Sequence, residues 1–154
     1  MKKLKIYLDT SVIGGCFDDE FALDSKNLLN EIIGNQKYGV ISEVTLRELL
    51  EAPPEVKNFF SSIQKNLEVV QVNEEADILS EAYLKEKIVS RKFKDDTLHI
   101  AIATVNKVDI LVSWNFKHIV NYNKIILFNS VNIRNGYPPL QIFSPREVIN
   151  YENY

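Results

Sequence analysis

Apolar residues fall along the chain in short blocks, set apart by polar breaks and by stretches with helical spacing. Lys5-Ile6-Tyr7-Leu8 is mostly apolar and breaks at Asp9, which predicts a short strand. Thr10 or Ser11 is placed to cap the turn or helix that follows, and Gly14-Gly15 interrupts it. From Ala22 to Ile33 the spacing of Leu28, Leu29, Ile32 and Ile33 predicts a helix, with Gly34 as its C-cap. Tyr38-Gly39-Val40-Ile41 predicts a second strand. Ser42 then opens a helix through Leu50 that ends before Pro53-Pro54, and Pro54 sits at the first position of the next. Val56, Phe59, Phe60 and Ile63 give that next helix its apolar stripe. Leu67 to Val72 is β-rich, and Glu74 to Val89 repeats apolar residues at a helical period.

Ser90 to Lys94 reads as a basic connector, after which Asp95-Asp96-Thr97 heads an apolar helix from Leu98 to Val105. Ile110-Leu111-Val112 and Ile125-Ile126-Leu127-Phe128 are unbroken apolar runs, both expected to be central strands. Gln141-Ile142-Phe143 is expected at a sheet edge. Ser144-Pro145-Arg146-Glu147 carries an N-cap, a proline at the first helical position and the start of a final helix. Short buried strands alternating with helices predict an α/β fold: a mainly parallel central sheet covered on both faces, in one domain over residues 1–154.

Composition narrows the classes. With 154 residues, 45% hydrophobic and a net charge of −3, the chain is neither disordered nor a coat of charge for nucleic acid. A single cysteine, Cys16, excludes a disulfide scaffold. No apolar run approaches the ~20 residues of a membrane span. The opening Met1-Lys2-Lys3-Leu4-Lys5 lacks the apolar core of a signal peptide, so a cytoplasmic location is expected.

In a parallel α/β sheet, ligands bind outside the carboxyl ends of the strands. Asp9 ends the first strand. Glu48 lies about two turns into the helix after the second. Asp95 and Asp96 open the helix before a central strand, and Ser113-Trp114-Asn115 follows that strand. Carboxylates gathered there repel by about 4 kcal/mol per pair at ~4 Å and an effective dielectric of ~20. A hard cation, Mg²⁺ or Mn²⁺, removes that cost and keeps waters for a phosphate substrate. The chemistry this implies is metal-assisted phosphodiester hydrolysis without a covalent intermediate. An aspartyl-phosphate mechanism is disfavoured, because Ser11 stands where its second aspartate would be.

Four segments carry a family resemblance. Tyr7-Leu8-Asp9-Thr10-Ser11-Val12-Ile13 resembles the first motif of PIN domains, and Val44-Thr45-Leu46-Arg47-Glu48-Leu49 their helix-borne glutamate. Asp96-Thr97-Leu98-His99-Ile100-Ala101-Ile102-Ala103 is similar to the family's D-x-L-H-I-A-x-A run. Leu111-Val112-Ser113-Trp114-Asn115-Phe116-Lys117-His118-Ile119 resembles the strand-then-acid motif in its W-N variant. The resemblance implies a three-layer α/β/α sandwich and an Mg²⁺/Mn²⁺-dependent endoribonuclease. Many relatives are VapC-type toxins of type II toxin–antitoxin pairs, and many form homodimers, so RNA, an antitoxin and a second copy are the expected partners.

By that register Asp9, Glu48 and Asp96 are the metal-site residues, with Asn115 completing the catalytic set, Thr10 and Ser11 supporting it, and Asp95 left as a helix cap. The fourth motif commonly has an aspartate where this chain has Asn115. An amide oxygen can ligate a cation, but it brings no charge and no base. The alternative is therefore a catalytically weak or inactive RNA-binding module. Arg91, Lys92, Lys94 and Lys117 are the expected phosphate contacts. His99 is expected in the core with one nitrogen satisfied, His118 at the surface or on a phosphate, Trp114 packed beside the sheet, and Gly136-Tyr137-Pro138-Pro139 and Tyr151-Glu152-Asn153-Tyr154 at a partner surface.

Overall fold

In the computed structural model, residues 2–153 are described; Met1 and Tyr154 lie outside them. Among those residues, strands β1 (Lys5–Leu8), β2 (Tyr38–Ser42), β3 (Leu67–Val70), β4 (Ile110–Val112) and β5 (Gln141–Phe143) form one sheet in the order β3-β2-β1-β4-β5. All four pairings are parallel, with Ile6 between Gly39 and Ile110, and Tyr7 between Val40 and Leu111. Parallel strands need a crossover between neighbours. Those crossovers supply helices α1 (Thr10–Gly15), α2 (Ala22–Ile33), α3 (Glu43–Leu49), α4 (Pro54–Ile63), α5 (Glu74–Lys85), α6 (Lys94–Val105) and α7 (Tyr122–Arg134), and α8 (Pro145–Val148) follows β5.

Strand side chains alternate between the two faces. Ile6, Leu8, Ile41 and Val112 pack with α1, α2 and α4 through Val12, Ile13, Leu28, Leu29, Val56 and Phe60. Tyr7, Val40, Leu111 and Ile142 pack on the opposite face with α5, α6 and α7 through Leu79, Tyr83, Ile100, Ile102 and Phe128. The result is the expected α/β/α layering, with β1 in the middle and every strand pointing its carboxyl end the same way. No helix among the described residues is long and apolar enough to cross a membrane.

Three expectations need correction. Ile125-Ile126-Leu127-Phe128 is not a strand; it lies inside α7. Asn121 caps that helix, its side chain accepting from the Lys124 N–H at 3.2 Å. Burial then follows helical spacing: Phe128, Val131 and Asn132 are inside while Ile126 and Leu127 face solvent. A run of four apolar residues satisfies either period, and here the cap and the length decide. The helix predicted over Glu74 to Val89 stops at Lys85, because Lys87 turns the chain with φ 59°. Ile88 and Val89 are still buried, but as a loop. Finally, Asp95 does not cap α6, which starts one residue earlier at Lys94; Asp95 instead binds Arg47 through both carboxylate oxygens, at 2.9 and 3.3 Å.

The α7 assignment has a direct test. Phe128 is fully buried and meets Tyr83 edge-on at 5.0 Å. Phe128→Ala is expected to cost about 3–5 kcal/mol, whereas Ile126→Ala, on the exposed side of the same turn, should stay within about 0.5 kcal/mol. Urea unfolding midpoints at constant m distinguish them; equal losses would speak for a two-sided buried strand.

Candidate active site

The sheet order reverses between β1 and β4, so the crevice at their carboxyl ends is the switch point where α/β folds bind ligands. Asp9 follows β1 directly, and its N–H donates to Val112 O at 3.0 Å, which holds it level with the end of β4. The Asp9 side chain is buried, at 5% exposure. Its Oδ2 accepts from Ser11 Oγ and from Ser113 Oγ, each at 2.7 Å. This leaves Oδ1 facing His99 Nε2 at 3.4 Å. Thr10 and Ser11 do not cap α1, since Asp9 occupies the N-cap position; Thr10 Oγ1 instead donates to Glu48 Oε1 at 2.7 Å.

Ser42 ends β2 and caps α3, accepting from the Val44 N–H at 3.2 Å. That start fixes the phase of α3 and brings Glu48 over the same crevice. Glu48 Oε1 lies 2.6 Å from His99 Nε2. Asp9 Oδ1, Glu48 Oε1 and His99 Nε2 thus form a compact donor group, all within 4.8 Å of one another.

His99 is fully buried with both ring nitrogens engaged, one more than the sequence suggests: Nδ1 is 2.6 Å from Tyr7 Oη, which in turn is 2.7 Å from Ser42 Oγ. Burial by itself lowers the imidazolium's pKa. The Tyr7 oxygen, the hydrogen bond to Glu48 and the charges of Asp9 and Glu48 outweigh it and hold His99 well above its ordinary range. Nε2 stands between the two acids, 2.6 Å from Glu48 Oε1 and 3.4 Å from Asp9 Oδ1.

Asp96, on the first turn of α6, is outside this donor group. Its Oδ2 is 2.8 Å from His118 Nδ1. Burial pushes the Asp96 carboxyl above the usual carboxylate range; His118 opposes the shift and the charge of Asp9 adds to it. His118 is buried against the Phe93 ring, with centroids 4.0 Å apart, and is neither a surface residue nor exposed to a phosphate. The turn after β4 brings it there: Asn115 Oδ1 accepts from the His118 N–H at 3.0 Å, and the Asn115 N–H donates to Ser113 Oγ at 2.9 Å. Trp114 packs as expected, stacked on Phe21 at 4.2 Å with Nε1 donating to Ser25 Oγ at 2.8 Å.

No family model and no curated protein matches the sequence. Solved structures do match. VapBC2 from Rickettsia felis, bound to a DNA fragment from its promoter, has 17% identity and a TM-score of 0.60 over 90% of this chain and 97% of that one. DNA-bound VapBC from Salmonella typhimurium has 18% identity and a TM-score of 0.58 over 92% and 98%. A toxin–antitoxin complex from Klebsiella pneumoniae has 15% identity and a TM-score of 0.56 over 73% and 88%. The fold is PIN-like. At these identities the likeness speaks for the fold alone.

Within this PIN-like frame the basic run is largely engaged. Arg91 pairs with Glu81 at 2.7 Å, and Lys94 with Glu81 at 2.8 Å and Asp77 at 3.0 Å. Lys92 is exposed, its Nζ 5.2 Å from the Phe93 ring centre, and Lys117 is exposed beyond Asn115. Residues to which the sequence reading gave no part in holding the acids are Tyr7 and His118, and it placed Ser113 at this end of the sheet without a role. The N-x-x-H spacing from Asn115 to His118, an asparagine turn, was the available signal for one of them.

The pH dependence of stability follows from two shifts of the same sign. His99 and Asp96 both bind their proton more tightly folded than at their ordinary values of 6.5 and 3.8. Each therefore contributes stability that is complete below its unfolded value and lost as pH rises through its folded one. In EDTA, urea midpoints are expected to decline as pH rises above 6.5, and His99→Gln should flatten that decline. A midpoint climbing with pH across the same window would contradict the assignment.

Proposed function

We propose that this chain is a metal-dependent endoribonuclease, acting as the toxin of a toxin–antitoxin pair. The observation that carries the reading is the donor group of Asp9, Glu48 and His99 at the switch point of a PIN-like sheet, with the Asp96 carboxyl near enough to feel the charge of Asp9. The donor chemistry fits a hard divalent cation through its oxygens: one carboxylate oxygen each of Asp9 and Glu48 lie within 4.8 Å of each other, with Asp9 Oδ2 already held by two hydroxyls. Mg²⁺ or Mn²⁺ held by Asp9, Glu48 and Asp96 would supply an activated water and neutralise charge at the phosphoryl centre.

The chain's own residues do the positioning. Ser11 and Ser113 fix the Asp9 carboxylate, Thr10 fixes Glu48, and His118 fixes Asp96 through its Nδ1. His99 Nε2 sits between the acids, 2.6 Å from Glu48 Oε1 and 3.4 Å from Asp9 Oδ1, and holds them together. Lys92 and Lys117 are the first phosphate contacts. Arg91 and Lys94 join them by exchanging exposed ion pairs that are worth little individually.

Three proteins of the same fold are found in VapBC or toxin–antitoxin complexes, which supports an antitoxin as partner. An apolar groove of about 250 Å³ between α3 and α4, lined by Leu46, Leu49, Leu50 and Phe60, suits its docking. The exposed Ile126, Leu127 and Ile133 on α7 suit a homodimer contact. One observation favours a second reading. Asn115 spends its amide oxygen on the His118 N–H and adds no charge, as in an RNA-binding module that cuts slowly or not at all.

A labelled tRNA incubated with Mg²⁺, with Mn²⁺ and with EDTA separates the readings. Cleavage is expected with either metal, absent in EDTA and lost in Asp9→Asn and Asp96→Ala. An Asp9→Asn protein that cuts like wild type would falsify the metal-site assignment. His118→Leu should weaken Mn²⁺ binding by about 10–100-fold, and His118→Asn, which keeps a donor where Nδ1 was, should recover most of it. If wild type is silent even in excess Mn²⁺, activity in Asn115→Asp marks the site as disabled by that residue.

A further inference from the structure

Next to the acid cluster lies a cavity of about 330 Å³ between α1, the loop into α2 and the turn after β4. Its size is at the low end of ligand pockets, roughly 300–1,000 Å³, which suits one nucleoside-sized group. Ser11 and Asn115 line it on the side of the acids, so a ligand there touches residues bonded to Asp9 and His118.

We propose that this cavity binds one nucleobase of the RNA, the one adjoining the phosphate at the acid cluster. The proposal rests on the ribonuclease reading and adds a base-selecting site to it. Among the parts of a nucleotide, the phosphate does not fit: no lysine or arginine lines the cavity, and the Asp18 carboxylate does. A flat, neutral, partly apolar group does fit. Phe21 and Trp114 line the cavity as an aromatic pair, stacked on each other at 4.2 Å with their planes 17° apart. Gly14 leaves bare backbone, since a Cβ there would meet nothing within 4 Å. Unstacked RNA bases are taken up on such surfaces.

Two polar groups then read the edge of the base. Asp18 Oδ1 accepts from the Glu20 N–H at 2.9 Å, which fixes the carboxylate and leaves Oδ2 as an acceptor. Asn115 Oδ1 is taken by the His118 N–H at 3.0 Å, so the amide offers Nδ2 as a donor. A carboxylate beside a donor matches guanine best, with two adjacent N–H groups next to the O6 acceptor. On this reading Asn115, where a fourth acid would stand, serves recognition.

Trp114 is the chain's only tryptophan and lines the cavity, so its emission reports occupancy. Guanosine, adenosine, cytidine and uridine carry no phosphate and can be titrated in EDTA, where nothing is cleaved. The expected result is a saturable change in Trp114 emission, tightest for guanosine. Gly14→Leu, which fills the cavity from an unobstructed position, should weaken it at least tenfold. Asp18→Asn, a substitution on the exposed rim, should remove the preference for guanosine. Circular dichroism checks that both variants fold. No saturable change with any nucleoside, or an unaltered response in both variants, overturns the proposal. A protein that cuts RNA but ignores nucleosides loses only this inference; one that binds nucleosides but never cuts keeps it and loses the nuclease.

Discussion

A carboxylate buried at the end of the central strand sets the terms for everything around it. Asp9 cannot be left without partners there, because an unpaired charge in the interior costs several kcal/mol. Its partners come from distant parts of the chain: Ser11 from α1, Ser113 from the end of β4, and His99 from α6. Satisfying one side chain therefore locks the sheet, a helix on each face and the turn after β4 into a single arrangement. The same bonds leave one Asp9 oxygen pointing into the crevice.

Charge is handled differently inside and outside. In the crevice, His99 Nε2 faces both Glu48 and Asp9, and Asp96 meets His118 Nδ1, so the acids are close without being bare. At the surface, α5 offers Glu81 and Asp77 to the basic run before α6. The interior arrangement orients oxygens and is rigid. The exterior one is soft, since exposed pairs exchange at little cost.

Much of this is legible in the sequence, and the failures have physical causes. β1, β2 and β4 show as apolar runs ending at polar residues, and topology alone sends Asp9, Glu48 and Ser113 to one end of the sheet. Ile125 to Phe128 misleads because an apolar tetrapeptide fits both periods, and only the Asn121 cap reveals the helix. His118 misleads because it follows Lys117 and Phe116, both exposed, and its burial depends on a turn built by Asn115. Asp95 and Asp96 are alike by helical period, and only the register of the D-x-L-H run separates them in sequence. One residue of helical rotation sends the first to Arg47 outside and the second to His118 inside.

The strand order β3-β2-β1-β4-β5 also has a meaning in time. Of the five strands β1 is made before the others, and it stays half-paired until β4 covers its second edge. Asp9 and its Ser113 partner are 104 residues apart. At translation rates of about 5–20 residues per second, the two emerge roughly 5–20 s apart. Through that interval the nascent chain carries its first acid on a half-paired strand with an unfinished crevice. The order of the sheet thus delays completion of the site until β4 and the turn after it have been made.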